Sequence, residues 1–372
     1  MALSDRELKV CTLIGRRGPA LLEDLRLHVG IATGLGHRPG LDETRERFTA
    51  RCRALGAHVE LVPGDARPEW IEGGGPGADR APSPPPPPTA VCRRLDASAR
   101  GGVLIAGHLD TVHDPAGAFR SLNVESGGKR ATGPGCVDMK GGLVIAMAAL
   151  EALEEAGERV AWSFLMNSDE ETGSFHSARA LHSEGASGRY ACALALEPAM
   201  SDGGLAVARG GSGQFMIEAR GRAAHVGRDF AAGVSAVDAL ARTIVEAHAL
   251  SRVDAGSGAA GGAAGGGPIA VNIGPLWCPT PTNVVPALAR AWGNVRFPSP
   301  HAGNELAAAL RALARGGPEH LPHVSVQHVL NRPAKPLTDA TRALAEAARA
   351  ACADANASPS ETPRARGIAA QV

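Results

Sequence analysis

The sequence predicts an α/β protein, with a larger domain built on a mainly parallel sheet and a smaller α+β domain inserted into it. Three observations predict this. Short apolar runs alternate with helical segments up to residue 196, the texture changes from about Gly210 to Arg332, and one more helical segment follows. The runs Val103 to Ala106, Val160 to Leu165 and Ala191 to Leu196 have the length and continuity of strands buried on both faces. Between the first two, Gly142 to Ala156 carries Leu143, Met147, Leu150 and Leu153 at helical spacing and stops at Gly157. Ser174 to Ser183 is a weaker helix ahead of the third run.

Within the altered stretch, Gln214 to Arg220 alternates in part, Ala236 to Leu250 reads as a helix, Ala287 to Phe297 as a strand and Glu305 to Ala314 as a helix. These make the inserted unit, so the expected division is 1–208 with 333–372 for the larger domain and 209–332 for the smaller. Asp339 to Ala353 is an Ala-rich helix expected to pack on the larger domain. Gly73 to Pro88 and Ala255 to Gly267 are low-complexity stretches that read as surface insertions or flexible loops, because they lack the large apolar side chains a core requires.

Composition narrows the function. At 372 residues, 44% apolar and 20% charged, the chain suffices for two domains with their own cores. Lys+Arg and Asp+Glu balance at 38 each, which leaves no basic field to hold a nucleic-acid backbone. Aromatic residues are only 3%, so cores are expected from Ala, Leu and Val. The longest apolar stretch, Leu143 to Leu150, is far shorter than the roughly 20 residues of a membrane span. The first residues, Met-Ala-Leu-Ser-Asp-Arg-Glu, show no basic segment leading into an apolar one. Neither membrane insertion nor secretion is expected. Seven cysteines without a C-x-x-C pair suit a reducing, cytoplasmic setting.

The chemistry gathers at the carboxyl ends of the predicted strands, where open α/β sheets place their sites. The first strand runs into Gly107-His108-Leu109-Asp110-Thr111-Val112, and His108 and Asp110 point the same way in extended chain. A carboxylate can then hold one imidazole nitrogen while the other faces a metal. Gly133-Pro134-Gly135-Cys136-Val137-Asp138-Met139-Lys140-Gly141-Gly142 precedes the long helix, and adjacent acids follow the second strand in Asn167-Ser168-Asp169-Glu170-Glu171-Thr172-Gly173-Ser174. Glu197 follows the third. Alone, each has a structural reading: a strand-end pair, an Asp near a helix start with glycine turns, an acid-rich helix start, an isolated acid. Together, His108, Asp138, Glu171 and Glu197 form a nitrogen and oxygen donor set that suits one or two Zn²⁺-like ions. Adjacent Glu170 and Glu171 can divide labour between taking a proton and binding a cation. No H-E-x-x-H, G-x-S-x-G or phosphate-loop pattern competes.

These motifs, with Gly221-Arg222-Ala223-Ala224-His225-Val226-Gly227 and Asn283-Val284-Val285-Pro286, occur in an order and spacing that resembles the M20 family of metallopeptidases and amidohydrolases, nearest its glutamate carboxypeptidase branch. The resemblance runs from about Leu22 to Ala353. It implies a zinc-peptidase-like catalytic domain, a smaller dimerisation (lid) domain and a homodimer. It also implies hydrolysis, by water activated between two Zn²⁺, of an N-acyl amino acid or small peptide with a free carboxylate; cobalt and manganese suit the same ligands. By position, His108 and Glu197 would bind one ion, Asp138 would bridge, Glu171 would bind the other, Asp110 would orient His108 and Glu170 would be the general base. His225, from the partner's smaller domain, would stabilise the oxyanion, and Asn283, Arg296 and Arg332 would hold the substrate carboxylate. Apart from the resemblance, His225 also reads as a satisfied turn histidine, and Arg296 and Arg332 as solvated strand-end charges.

The carboxyl end departs from the family pattern. From about Asn356 the residues match neither the family's Gly-Gly-x-x-Asp-Gly segment nor its late histidine ligand. The second metal is then expected to keep only Asp138 and Glu171, and the sheet to lack a strand and its covering helix. A second expectation follows, that of a truncated or frameshifted member with little or no catalysis, acting as a dimerising or ligand-binding module.

Overall fold

A computed structural model describes residues 3–34, 36–72, 85–94, 101–128, 130–199, 204–252, 267–317 and 319–357. The described elements, in chain order, are α1 (Asp5–Arg16), α2 (Gly18–Gly30), α3 (Arg38–Ala54), β1 (His58–Val62), α4 (Glu69–Glu72), β2 (Thr89–Arg94), β3 (Gly102–His108), β4 (Asn123–Val124), β5 (Ala131–Thr132), α5 (Lys140–Ala156), β6 (Trp162–Asn167), α6 (Ala178–Gly185) and β7 (Tyr190–Ala195). There follow β8 (Gly211–Arg220), α7 (Ala236–His248), β9 (Ala270–Trp277), β10 (Leu288–Phe297), α8 (Pro300–Ala312), β11 (His323–Arg332) and α9 (Asp339–Ala357). They divide into two compact units, one of Met1–Ala66, Pro84–Val207 and Thr338–Val372, the other of Arg67–Ser83 and Ala208–Leu337.

The first unit is built on a five-stranded sheet in the order β1-β2-β6-β3-β7. The three apolar runs form its parallel part: β3 pairs with β6 on one side and β7 on the other, while β2 and β1 add antiparallel strands. The third run is not buried on both faces as expected, because β7 is the sheet's edge and none of its residues is buried. This parallel part matters for the site, because it brings three strand ends to one edge. Helix α5 buries Leu143, Met147 and Leu150 against a core that includes Phe48, Trp162, Phe164 and Met166, and it ends on a left-handed Gly157. Three of the few aromatic residues, Phe48, Trp162 and Phe164, are thus buried in this core. Helix α1 opens with a capping box between Ser4 and Glu7. Arg51 ties α2 to α5 through Asp24 and Glu151.

The second unit is an antiparallel sheet in the order β11-β8-β10-β9. Phe215, Ile217, Ala219, Ala289, Ala291 and Val295 point to the face that packs with Leu240 of α7 and with Leu306 and Leu310 of α8. On the opposite face the Trp292 indole N–H donates to the Trp70 carbonyl at 2.8 Å. That bond accounts for residues 67–72 grouping here instead of with the larger domain. Residues 333–337 group here as well, because Arg209 and Lys335 exchange backbone hydrogen bonds of 2.9 and 2.8 Å.

Helix α6 starts at Ala178, four residues later than the periodicity of 174–183 predicts. The Asp169 carboxylate accepts from the His176 and Ser177 N–H groups at 2.6 and 3.3 Å, and Ser174 takes a positive φ of 57°, so residues 169–177 form a turn instead. Most of the two low-complexity stretches, and the tail from 358 onward, lie outside the described residues.

Candidate metal centre

Three parallel strands and one tight turn build the site in the first unit. His108 ends β3, Asn167 ends the neighbouring β6 in register with it, and Glu197 lies two residues beyond β7. The Leu109 N–H donates to the Asn167 carbonyl at 2.8 Å, which continues the ladder into the site. Asp138 comes from the turn ahead of α5, where the Asp138–Met139 peptide is cis and the Lys140 N–H donates to the Gly135 carbonyl at 2.8 Å. Two glycines permit the close packing. A Cβ on Gly107 would meet Leu143 Cδ2 at 2.6 Å, and one on Gly142 would meet the Leu196 carbonyl oxygen at 1.9 Å. The start of α5 therefore lies directly against the residue before Glu197.

The result is a convergence of His108, Asp138 and Glu197, whose ligand atoms all lie within 4.8 Å of one another. His108 is buried, with its Nε2 at 2.9 Å from Asp138 Oδ1 and 3.6 Å from Glu197 Oε2. Its Nδ1 lies 2.9 Å from the backbone carbonyl of Asp110 and 3.4 Å from Asp110 Oδ1. Burial alone would lower the imidazole pKa, but Asp110, Asp138 and Glu197 outweigh it and hold the pKa far above its ordinary value. Two carboxylates at one edge of one imidazole are the donor set of a divalent cation, and three protein ligands leave a position open for water or substrate. Asp138 is the exposed member, so the triad opens to solvent on its side.

The Asp110 carboxylate also reaches the loop after β6, accepting from the Glu170 N–H at 3.2 Å and the Glu171 N–H at 2.9 Å. One side chain thus fixes both the histidine and the pair of glutamates. Glu171 is not one of the three converging residues. Burial first, then the charge of Asp138, pushes its carboxyl up to about 7. Among the described residues His108, Asp138 and Glu197 are the one such group.

The remaining predicted residues lie in the second unit, in two local groups. The segments around His225 and Asn283 run antiparallel: the Val226 N–H donates to the Asn283 carbonyl at 3.0 Å and the Val285 N–H to the Ala224 carbonyl at 2.8 Å. His225 is exposed, and its Nδ1 accepts from the Gly227 N–H at 3.1 Å. A neutral ring in that arrangement carries its proton on Nε2 and presents it as a donor. Arg296 of β10 and Arg332 of β11 both pair with Ser212 of β8, which puts the two in one row across the sheet. Burial, then the charges of Arg332 and Arg209, lower the Arg296 pKa, so Arg209, which precedes β8 and pairs with Lys335, adds to the positive charge acting on Arg296. Sequence reasoning missed Arg209 because it stands just before the strand. It also gave no role to Asp169, whose turn-forming bonds organise the loop of Glu170 and Glu171, nor to the buried Lys140.

A family model described as Peptidase family M20/M25/M40 matches residues 104–370. Carboxypeptidase G2 of Pseudomonas sp. (strain RS-16) is 29% identical over 230 residues, 59% of this chain and 48% of that protein, so the match spans about half of the relative's length. Among solved structures, aminopeptidase PepT from Bacillus cereus ATCC 10987 superposes with a TM-score of 0.61 at 18% identity, over 95% of this chain and 89% of that one. An M20 family metallo-carboxypeptidase, Sso-CP2 from Sulfolobus solfataricus, gives 0.56 at 16% identity, over 83% and 77%. At these identities the two structures speak for the fold.

Proposed function

Because the chain belongs to peptidase family M20/M25/M40, we propose that it is a metal-dependent hydrolase that cleaves the amide bond of an N-acyl amino acid or small peptide bearing a free carboxylate. The observation that carries this reading is the triad of His108, Asp138 and Glu197 beside a glutamate pair fixed by the same Asp110 that holds the histidine. Those three residues hold a first divalent cation, with zinc the first choice and cobalt or manganese accepted by the same donors. Asp138 and Glu171 contribute to a second. A cation held there supplies Lewis acidity to the scissile carbonyl and to the attacking water.

The chain's own residues do the rest. Glu170 takes the proton of the attacking water and passes it to the leaving amine, and the bond from its own N–H to Asp110 anchors the backbone from which its side chain extends. His225, with its proton on Nε2, donates to the developing oxyanion. Arg296 and Arg332 grip the substrate carboxylate with Asn283, and Arg209 strengthens the positive field. The family resemblance supports a homodimer in which His225 serves the partner's site. Free cysteines support a reducing, cytoplasmic compartment, and no described helix is long and apolar enough to cross a membrane.

The test is a panel of N-acyl amino acids and dipeptides assayed on protein stripped with EDTA and reloaded with Zn²⁺ or Co²⁺. Hydrolysis that disappears on stripping and returns on reloading is expected. A wild-type protein that binds neither ion near neutral pH overturns the reading.

A further inference from the structure

Lys140 is among the largest fully buried side chains, at 1% exposure, and no carboxylate among the described residues pairs with it. Its Nζ instead donates to the carbonyls of His28 at 2.9 Å and Ile31 at 2.6 Å, at the carboxyl end of α2. The negative end of the helix dipole and two lone pairs make that place tolerable for an ammonium group. A cap on a helix end does not require a lysine drawn from more than a hundred residues away; water or a neighbouring side chain serves as well. The location of the other end of this lysine gives it meaning, since its backbone N–H closes the turn from Gly135 that carries Asp138.

The gripped segment, residues 28–34, leads on to the other ligand-bearing loop. The Thr111 N–H donates to the Thr33 carbonyl at 3.4 Å, and Gly34 and Thr111 form a parallel bridge just beyond His108 and Asp110. Gly34 lies so close to the chain after Thr111 that a Cβ there would fall 1.6 Å from the His113 carbonyl oxygen. The third side is direct, since a Cβ on Gly135 would come within 2.6 Å of Thr111 Cγ2. The turn of Asp138, the loop of His108 and segment 28–34 thus form a closed triangle, in which Lys140 is a hydrogen-bonded side-chain link between turn and segment, beside the packing of Val29 on Gly133. The segment lies outside residues 104–370, the part the family model matches.

We infer that Lys140 is a positioning residue of the metal centre, locking the Asp138 turn onto segment 28–34 so that Asp138 meets His108 at ligand distance. This rests on the metal-dependent reading above. Groups that orient ligands from behind typically account for 10- to 100-fold in metal affinity, so Lys140→Met should raise the Kd for Co²⁺ by about tenfold or more.

The experiment titrates Co²⁺ into EDTA-stripped wild type and K140M, reading the visible absorption of the bound ion, with the thermal midpoint in EDTA measured alongside. A tenfold weakening with an altered Co²⁺ spectrum supports the inference, whereas a Kd within twofold of wild type and an unchanged spectrum overturns it, whatever the midpoint does. If K140M does not fold, amide exchange on the wild type decides. Coupling is reciprocal, so saturating Co²⁺ should slow exchange at residues 29–34, and unchanged exchange there overturns the inference. Failure of the underlying reading shows separately, as wild type that binds no Co²⁺ at all.

Discussion

Asp110 has two tasks that are normally given to different residues. Its carboxylate faces His108 Nδ1 at 3.4 Å and accepts the N–H groups of Glu170 and Glu171, so the metal side and the base side of the site share one anchor. Two predictions separate these sides. Glu170→Gln should keep Co²⁺ affinity within a few fold while lowering kcat by about 10² to 10⁴, the usual contribution of a positioned base. Paired titration and rate measurements check it, and an unchanged rate removes Glu170 from the role. Asp110→Asn should damage both readouts at once, because an amide offers one acceptor where the carboxylate offers two. Loss of rate with intact metal affinity would mean that the backbone carbonyl of Asp110 suffices to hold His108.

Among the elements, helix α5 carries the most consequence per residue, since its first turn supplies Lys140 and its contact with the end of β7 sets Glu197. Gly142→Ala should force the Leu196 carbonyl away, at about 1–3 kcal/mol of stability as for other overpacked sites, with Co²⁺ binding weakened as Glu197 withdraws. Denaturant titration and Co²⁺ affinity on the same sample test this together. Helix α6 shows a different dependence. Its Glu184 is buried against Arg93 and the Tyr190 hydroxyl. Burial alone would raise its pKa, but Arg93 and Tyr190 outweigh that and hold the carboxyl below its ordinary value. A depressed pKa contributes stability that is present above the unfolded carboxylate value of about 4.3 and is lost as pH falls through the folded one. Thermal midpoints should therefore drop below about pH 4.3 in wild type and less steeply in Glu184→Gln. At pH 7 that variant should already be weaker by about 2 kcal/mol, less than for a fully buried pair, because Arg93 keeps Glu60.

How far the elements could be read from sequence followed their surroundings. Strand β6, buried throughout, β3, buried along most of its length, and the edge strand β7 are continuous apolar runs, and their ends carry the acids and the histidine, so the motifs at 107–112, 133–142 and 167–174 were legible as a site. The edge strands of the second unit were not. Strand β9 contains Gly274 and Pro275, which local pattern reads as a break, yet an edge position tolerates both. Strand β11, the other edge, mixes polar residues on both faces. Lys140 was visible as a letter in a motif, but its burial depends on carbonyls about 110 residues away, which no local spacing encodes.

For the whole molecule, net formal charge is zero and each unit has its own core, which makes separate responses measurable. A ligand that binds only the folded form stabilises whatever unit holds it, by about 2.7 kcal/mol at a hundredfold excess over Kd. Calorimetry with EDTA and then with Zn²⁺ should show one transition moving upward while the other stays within a degree or two. Equal movement of both would mean that the units melt as one body or that the second unit also takes the ion.

The bond between Trp292 and Trp70 has a consequence for the order in which the protein is made. The two residues are 222 positions apart, and at roughly 5–20 residues per second of synthesis the Trp70 carbonyl is outside the ribosome for about 10–40 seconds before its donor has been polymerised. During that interval strand β8 emerges with neither neighbour, since β10 and β11 come later still. The second unit therefore cannot close until its last strand is translated. A nascent chain arrested anywhere before β11 should be open to protease in β8, α7 and β10, and these elements should become resistant only after that strand is released.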